Sequence, residues 1–323
     1  MNHNMNILIL SVGTKCKIVE YFKAENEVDK VVTTDCGVYV PAAYISDTHY
    51  LVPPIRSSDY IPKIKEICEK ENINVILPLH EDELELIAAK KTEFEAKGIF
   101  VVISDADIIC MCRDKYALYK ELVKHGIPCV DTYEFETESD LISKLPFPVI
   151  VKEREGAGSV GMFKVCDADL LNYLSKKRGQ NLIVQPYLEA EEYDVDAYVD
   201  IISGETIEVF IKQKLHMRDG EADISKTIKN DAICELVKEI LNVIQLKGPI
   251  DMDILKYNGK YYLLEINPRF GGVYPHAHEC GVNFMKYIVN NAKGKTNSSQ
   301  IGNYKTGNVL LKYKEVMLVD EKG

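Results

Sequence analysis

The chain has 323 residues, 46% of them hydrophobic and 28% charged, with a formal net charge of −11. A chain of that length and make-up buries a core in two or three globular domains, which excludes a disordered protein. The acidic balance offers no continuous basic footprint for nucleic acid, and no apolar run is long enough to span a bilayer.

The nine cysteines follow no framework spacing. Cys110-Met111-Cys112 lacks a second Cys or His pair at zinc-site spacing, so buried thiols rather than a metal site, in a reducing compartment, are expected. Met1–Leu10 carries no cleavage signal, and the localisation read from this is cytoplasmic.

Strands alternate with helices through the first ~110 residues, which predicts a parallel sheet. The predicted elements are a strand at Asn6–Val12 turning at Gly13, a helix at Lys15–Lys23, and a strand at Lys30–Thr34 ending at Asp35. A helix at Tyr60–Glu71, a strand at Asn74–Leu79, an acidic helix start at His80–Leu84 and a strand at Gly98–Ser104 follow. Gly13 alone cannot supply the three glycines of a dinucleotide fingerprint. Asp35 is read as a turn or cap residue rather than a ribose ligand. His80, at a strand's carboxyl end, is a weak candidate for substrate contact.

A helix is predicted over Arg113–Ile127, stopped by Gly126 and Pro128. Next come a strand near Tyr133, a short helix around Ser139–Lys144 and a buried strand at Phe147–Glu153. Glu155–Gly161 is glycine-rich and leads into the strand Met162–Val165. Strands at Asn181–Pro186, Tyr193–Ile202 and Thr206–Lys214 precede a helix at Lys229–Gln245. Pro249–Lys256 and Tyr261–Ile266 form a hairpin about Asn258-Gly259, a strong turn signal. Lys293–Ser299 reads as a linker.

The chemistry concentrates in Leu263-Leu264-Glu265-Ile266-Asn267-Pro268-Arg269-Phe270-Gly271-Gly272. Alternate side chains of a strand share a face, so Glu265 and Asn267 point the same way, with a guanidinium just beyond. Two oxygen donors beside a planar cation suit Mg²⁺ shared with phosphate. Asp251, fourteen residues earlier on the facing strand, can join them; Asp253 shares its face, and the choice between the two stays open. Lys152 ends a strand immediately before glycines 156, 158 and 161, which let backbone N–H groups approach phosphate. The loop lacks the ending of a P-loop and lies between strands, so it reads as a flap over phosphates. Gln185-Pro186-Tyr187-Leu188 closes a strand and can present backbone groups to a flat base, and Glu192 can accept from ribose hydroxyls. His276 and His278 lack a third metal ligand and read as hydrogen-bonded side chains.

In that order these motifs resemble the ATP-grasp superfamily, and more narrowly free-standing proteins similar to the large subunit of carbamoyl phosphate synthase. Val12-Gly13-Thr14-Lys15, Arg113-Asp114-Lys115-Tyr116 and Asn267–Gly272 support the narrower match. The resemblance implies an α/β ATP-grasp fold with an N-terminal Rossmann-like (preATP-grasp) parallel sheet over 1–112. Linker helices and a small flap subdomain would span 113–186, and the catalytic subdomain 187–323. It implies ATP held by Lys115, Lys152, Gly156, Gly158, Ser159, Gly161, Gln185, Pro186, Tyr187, Leu188, Glu192 and Lys212. Lys214 and Arg218 lie on the same phosphate- or substrate-facing segment. Mg²⁺ or Mn²⁺ would be held by Asp251, Glu265 and Asn267. Arg269 and Lys152 would be catalytic, and Arg218, Gly271 and Gly272 would approach substrate. The implied activity is an ATP-dependent carboxylate–amine or carboxylate–thiol ligase acting through an acylphosphate. The alternatives are a carbamate- or carboxylate-phosphorylating unit and a nucleotide-binding subunit without turnover. The chain carries one such unit, not two, and no glutaminase, so carbamoyl phosphate synthesis by it alone is not expected. Partners are a small carboxylate and an amine, with a homodimer held open as the assembly.

Overall fold

A computed structural model describes residues 5–135, 144–156, 161–178, 181–218 and 220–320. The N-terminal part contains β1 (Met5–Leu10), α1 (Cys16–Lys23), β2 (Val28–Asp35), β3 (Thr48–Leu51), α2 (Tyr60–Lys70), β4 (Val75–Pro78), α3 (Glu81–Ala88), α4 (Lys91–Glu95) and β5 (Phe100–Val101). Its five strands form a parallel sheet in the order β3-β2-β1-β4-β5. Both faces are covered, as a parallel sheet requires. Ile7 and Ile9 pack with α1, while Leu8 and Leu10 pack with α2 and α3. The strand order reverses between β1 and β4, so their carboxyl ends open a crevice. The Asp35 carboxylate accepts from Gly13 N at 2.9 Å and Gly37 N at 2.8 Å, and so shapes the loop after β1.

The predicted Arg113–Ile127 helix is shorter than expected, and a helix that the sequence reading did not place precedes it. α5 (Ala106–Arg113) ends where α6 (Lys115–Lys124) begins, and Asp114 leaves helical geometry to cap α6. Its side chain accepts from Tyr116 N at 3.1 Å and Ala117 N at 3.0 Å. The same carboxylate takes two hydrogen bonds from Arg154, which ties α6 to the next sheet.

That sheet joins β6 (Tyr133–Glu134), β7 (Val149–Glu153), β8 (Phe163–Val165) and β9 (Leu182–Pro186) in the order β6-β9-β7-β8, all antiparallel, with α7 (Ala168–Arg178) beside it. The predicted helix around Ser139–Lys144 lies outside the described residues except for Lys144.

The third part is a six-stranded sheet in the order β14-β13-β10-β11-β12-β15. It is built from β10 (Glu191–Val199), β11 (Thr206–Arg218), β12 (Glu221–Ile228), β13 (Gly248–Tyr257), β14 (Lys260–Asn267) and β15 (Val309–Leu311). α8 (Asp231–Ile244) covers one face with Ile233, Leu236, Val237, Ile240, Leu241 and Ile244, against Val195, Ala197, Ile211, Met252, Ile254 and Ile266. The stripe of apolar residues at helical spacing dictates that docking. α9 (Tyr274–Glu279) and α10 (Phe284–Ala292) pack instead on the N-terminal sheet. Tyr274, Phe284 and Ile288 share one core with Ile7, Ile9 and Phe22. No helix among the described residues is long and apolar enough to cross a membrane.

Candidate active site

The face of the six-stranded sheet opposite α8 is polar, and antiparallel register lines its groups up in rows. Asn267 stands opposite Asp251, which stands opposite Asp196. Glu265 stands opposite Asp253, then Asp194, then Lys212. A β-bulge in β14 between these rows and Leu263 leaves Leu264 without a cross-strand partner. The bulge aims Leu264 at the cavity alongside Glu265, while Leu263 stays in the core against α8.

These rows floor a cavity of about 560 Å³. Its walls bring together Lys115 from α6, Lys152 and Gly156 from β7 and its loop, and Gln185, Pro186, Tyr187 and Leu188 from the end of β9. Glu192, Lys214 and Arg218 line it as well, as do Asp251, Asp253, Glu265, Asn267, Arg269 and Gly272. One end is apolar. Val130, Ile150, Met162, Leu255 and Leu264 stand there beside the β9 residues. Tyr187 is capped by the Lys164 ammonium, 3.4 Å from its ring centre. A slot with apolar walls suits a flat heterocycle. The Gln185 side chain donates to Thr132 Oγ1 at 2.8 Å, and its backbone stands opposite Ile150 in the β7–β9 ladder.

The middle of the cavity is charged. Lys115 and Lys152 each hold an ammonium 3.9 Å from Glu265 Oε2. Lys115 also donates to the Gly156 carbonyl oxygen. Burial lowers the Lys152 pKa below its ordinary value, with Lys115 adding to the shift and Glu265 opposing it. Lys214 pairs with Asp253 at 2.6 Å and lies 3.8 Å from Glu192. The Arg269 guanidinium donates to Asp251 Oδ2 at 3.0 Å and, through Nε, to Glu81 Oε1 at 2.8 Å. Burial pushes the Asp251 carboxyl up, but Arg269 and the Lys212 and Lys214 ammoniums hold it below its ordinary range. Asn267 Nδ2 lies 3.3 Å from Asp251 Oδ2.

Lys212 was read from the sequence as an ATP contact. It is fully buried under the floor, paired with Asp194 at 3.0 Å and with Asp196, and does not line the cavity. Lys214, two residues on along the same face, lines it. Gly271 and Gly272 make room for carboxylates: a Cβ on Gly271 would sit 2.7 Å from Asp251 Oδ1, and one on Gly272 would collide with Glu221. Gly161 has a φ of +72° and is not among the cavity's described walls. Gly158 and Ser159 lie outside the described residues. His80 caps α3, its Nδ1 accepting from Asp82 N at 3.3 Å. It lines a second hollow of about 280 Å³ that adjoins Glu265 and Asn267 from the N-terminal side. His276 meets Ser225 Oγ at 2.8 Å, and His278 stacks on Tyr21 at 3.5 Å between ring centres.

Sequence reading missed Glu81, Glu221 and the apolar slot. Glu81 was visible only as one of a run of acids at a helix start. Val130, Ile150 and Met162 come from separate elements whose meeting no local pattern encodes.

The sequence matches the family model for the ATP-grasp domain over residues 112–273 and that for the PylC-like N-terminal domain over residues 7–102. It is 28% identical over 254 residues to the carbamoyl phosphate synthase large chain of Clostridium botulinum (strain Loch Maree), a match covering 72% of this chain and 22% of that one. The chain thus spans about a fifth of the length of such curated relatives. Two solved structures share the architecture across 95% of the chain. The biotin carboxylase domain of the Hydrogenobacter thermophilus 2-oxoglutarate carboxylase, solved with MgADP, ADP and bicarbonate, has a TM-score of 0.77 at 16% identity, with 74% of it covered. The N5-carboxyaminoimidazole synthetase of Staphylococcus aureus, complexed with ADP, has a TM-score of 0.75 at 17% identity, with 81% covered. Likeness at that identity establishes the fold.

Proposed function

The chain belongs to the ATP-grasp family, and from that premise we propose that it is an ATP-dependent carboxylate–amine ligase that forms an acylphosphate and releases ADP and phosphate. The observation that carries the reading is the placement of Lys115, Lys152, Glu265, Asn267 and Arg269 on the walls of one cavity that also has an apolar slot. The slot takes the adenine, with the backbone of Gln185–Leu188 at its edge and Glu192 toward the ribose. Lys115 and Lys152 take the phosphates as point charges. Arg269 faces the phosphoryl group in transfer, its planar fork already held by Glu81 and Asp251.

The donor set beside Arg269 is all oxygen: two carboxylates, Asp251 and Glu265, and the Asn267 amide. The missing Cβ at Gly271 keeps the space beside Asp251 clear. These residues fit Mg²⁺ or Mn²⁺, which would neutralise phosphate charge there. The chain's own residues do the rest. They orient the acid's carboxylate toward the terminal phosphorus, hold the transferred phosphoryl oxygens, and keep water from the acylphosphate until the amine attacks its carbonyl carbon. A thiol can replace the amine in the same scheme. No protein nucleophile is required. In this reading the protein acts in the cytoplasm on small molecules.

The likeness to carbamoyl phosphate synthase large chains supports a second reading, phosphorylation of a carboxylate or carbamate without ligation. A screen of acids and amines for ADP release, with mass detection of product, separates the two. Ligation requires ADP release that depends on both partners, and an ¹⁸O-labelled acid must pass one label to the released phosphate. ADP release indifferent to amine favours the second reading. Formation of AMP and pyrophosphate rejects both.

A further inference from the structure

The cavity continues past Arg269 to an end lined by Met217, Arg218, Glu221 and Gly272. Glu221 begins β12, its side chain is about half exposed at 49%, and it stands among cations from three distant parts of the chain. Lys312, just after β15, pairs with it at 2.6 Å. The Lys312 amide donates to Asp223 O at 2.8 Å, which pins that segment beside β12. Lys15 comes from the loop after β1, at the carboxyl-end crevice of the parallel sheet, and its ammonium is 3.9 Å from Glu221 Oε1. That distance is beyond a hydrogen bond. Arg269 is near enough to act on both Lys15 and Glu221, but its own guanidinium is taken by Glu81 and Asp251.

The charges do not balance at this end. Lys312 has a close partner and Arg269 has two. Lys15 is two-thirds buried at the side chain, and its one ion pair among the described residues is the 3.9 Å approach to a carboxylate that Lys312 already holds. Burial lowers its pKa, with Arg269 and Lys312 adding to the shift against the pull of Glu221. Lys15 is not itself a cavity wall but adjoins Glu221, which is, and a desolvated ammonium wants an anion. Glu221 is the movable piece: it sits at the end of a strand, half in solvent, and lies against Gly272, where any side chain would displace it.

We propose that Glu221 is a resident counter-anion holding the place of a second anionic group on the substrate, and that Lys15 and Lys312 together select for that group. The substrate class is then a carboxylic acid with a carboxylate or phosphate at the end remote from the reacting carboxyl. This rests on the ligase reading above, in which Arg269 marks the reacting end. Switch-point crevices in parallel sheets are where ligands meet loop residues, and Lys15 is the cation this loop contributes.

The test is calorimetric binding of sodium sulfate and of sodium acetate to the full chain saturated with Mg·ADP, at constant ionic strength. Wild type should bind at least one of the two saturably. Tighter sulfate assigns a phosphate group to the substrate, and tighter acetate a second carboxylate. Lys15→Gln should weaken the preferred anion at least tenfold with ADP affinity unchanged. Glu221→Gln should tighten it at least threefold, because the probe no longer has to displace the carboxylate; a Glu221 that merely ties β12 in place would give no such gain. Failure of wild type to bind either anion, equal binding by Lys15→Gln, or weaker binding by Glu221→Gln overturns the inference and leaves the ligase reading standing. Failure of Mg·ADP itself to bind strikes the ligase reading instead.

Discussion

Arg269 joins two halves of the molecule. One edge of its guanidinium is held by Glu81 at the start of α3 and the other by Asp251 on β13. A lysine can meet one of these carboxylates but cannot bridge them in one plane. Arg269→Lys should therefore lower kcat by about 10²–10³, the cost of losing a preorganised charge contact, while steady-state ATP affinity changes little. A kcat within a few-fold of wild type would remove Arg269 from the phosphoryl site. A second buried group sets a pH dependence. Glu83 on α3 accepts from Ser11 Oγ at 2.9 Å and from the Tyr60 hydroxyl, yet burial outweighs both and pushes its carboxyl up to about 7. A carboxyl raised above its unfolded value binds more protons in the folded state. Its contribution to stability is thus complete below about pH 4.5 and is lost as pH rises toward 7, on the order of 3 kcal/mol in all. Glu83→Gln should flatten the fall in denaturant midpoint between pH 5 and pH 8; an unchanged slope would contradict the assignment. At this scale the sequence was informative where period two alone decides. Glu265, Asn267 and Asp251 needed only strand alternation to be placed on one face. Lys212 and Lys214 share one face of β11, and what separates them is the pairing of Lys212 with Asp194 and Asp196 on a neighbouring strand. No spacing within β11 reveals that pairing.

Among the elements, the β13–β14 hairpin carries Asp251, Glu265 and Asn267 and was the most legible. Asn258 and Gly259 both adopt positive φ, +50° and +77°. That pair is the turn which matches strand twist, and Asn-Gly supplies it at least strain. Gly259→Ala forces a Cβ into the left-handed region and should cost roughly 1 kcal/mol in unfolding free energy, with activity per folded molecule preserved. No loss in chemical denaturation would mean that the turn does not set the register. The bulge at Leu264 was not legible, because an apolar residue on either face reads the same. Nor was β12: Asp223, Ser225 and Thr227 alternate with apolar and charged positions, as in a surface strand, yet Ser225 and Thr227 are fully buried. The break between α5 and α6 was legible in principle, since Asp114 is a good cap residue. The expected helix start at Arg113 fell within two residues of α6, but α5 before it was not read from the sequence.

In the whole molecule, the N-terminal sheet and the six-stranded sheet are not separate bodies joined by a linker. Tyr198, Phe210, Phe270 and Tyr274 enter the same core as Ile7, Val31 and Leu77. This union sets the Lys15 loop beside Glu221 and Glu81 beside Arg269, and it is why a chain read as alternating strands and helices at one end and strands at the other brings both sheets to one site. Fold class and motif order were readable because each depends on local pattern. The apolar slot and the Lys15–Glu221–Lys312 cluster were not, because they exist only where distant segments meet. In the structure Lys115 and Lys152 both face Glu265, and Arg269 faces Asp251. In the proposed function, phosphate and metal replace these internal pairs together. The central claim, a Mg·nucleotide held between those lysines and the oxygen donors of β13 and β14, is tested most directly by titrating ADP into wild type and Glu265→Gln, each with and without Mg²⁺. The account predicts one site per chain, at least tenfold tighter with Mg²⁺ in wild type, and a Mg²⁺ effect reduced to less than threefold in a folded Glu265→Gln protein. Binding that ignores Mg²⁺ in wild type, or a full Mg²⁺ effect retained in Glu265→Gln, would contradict it.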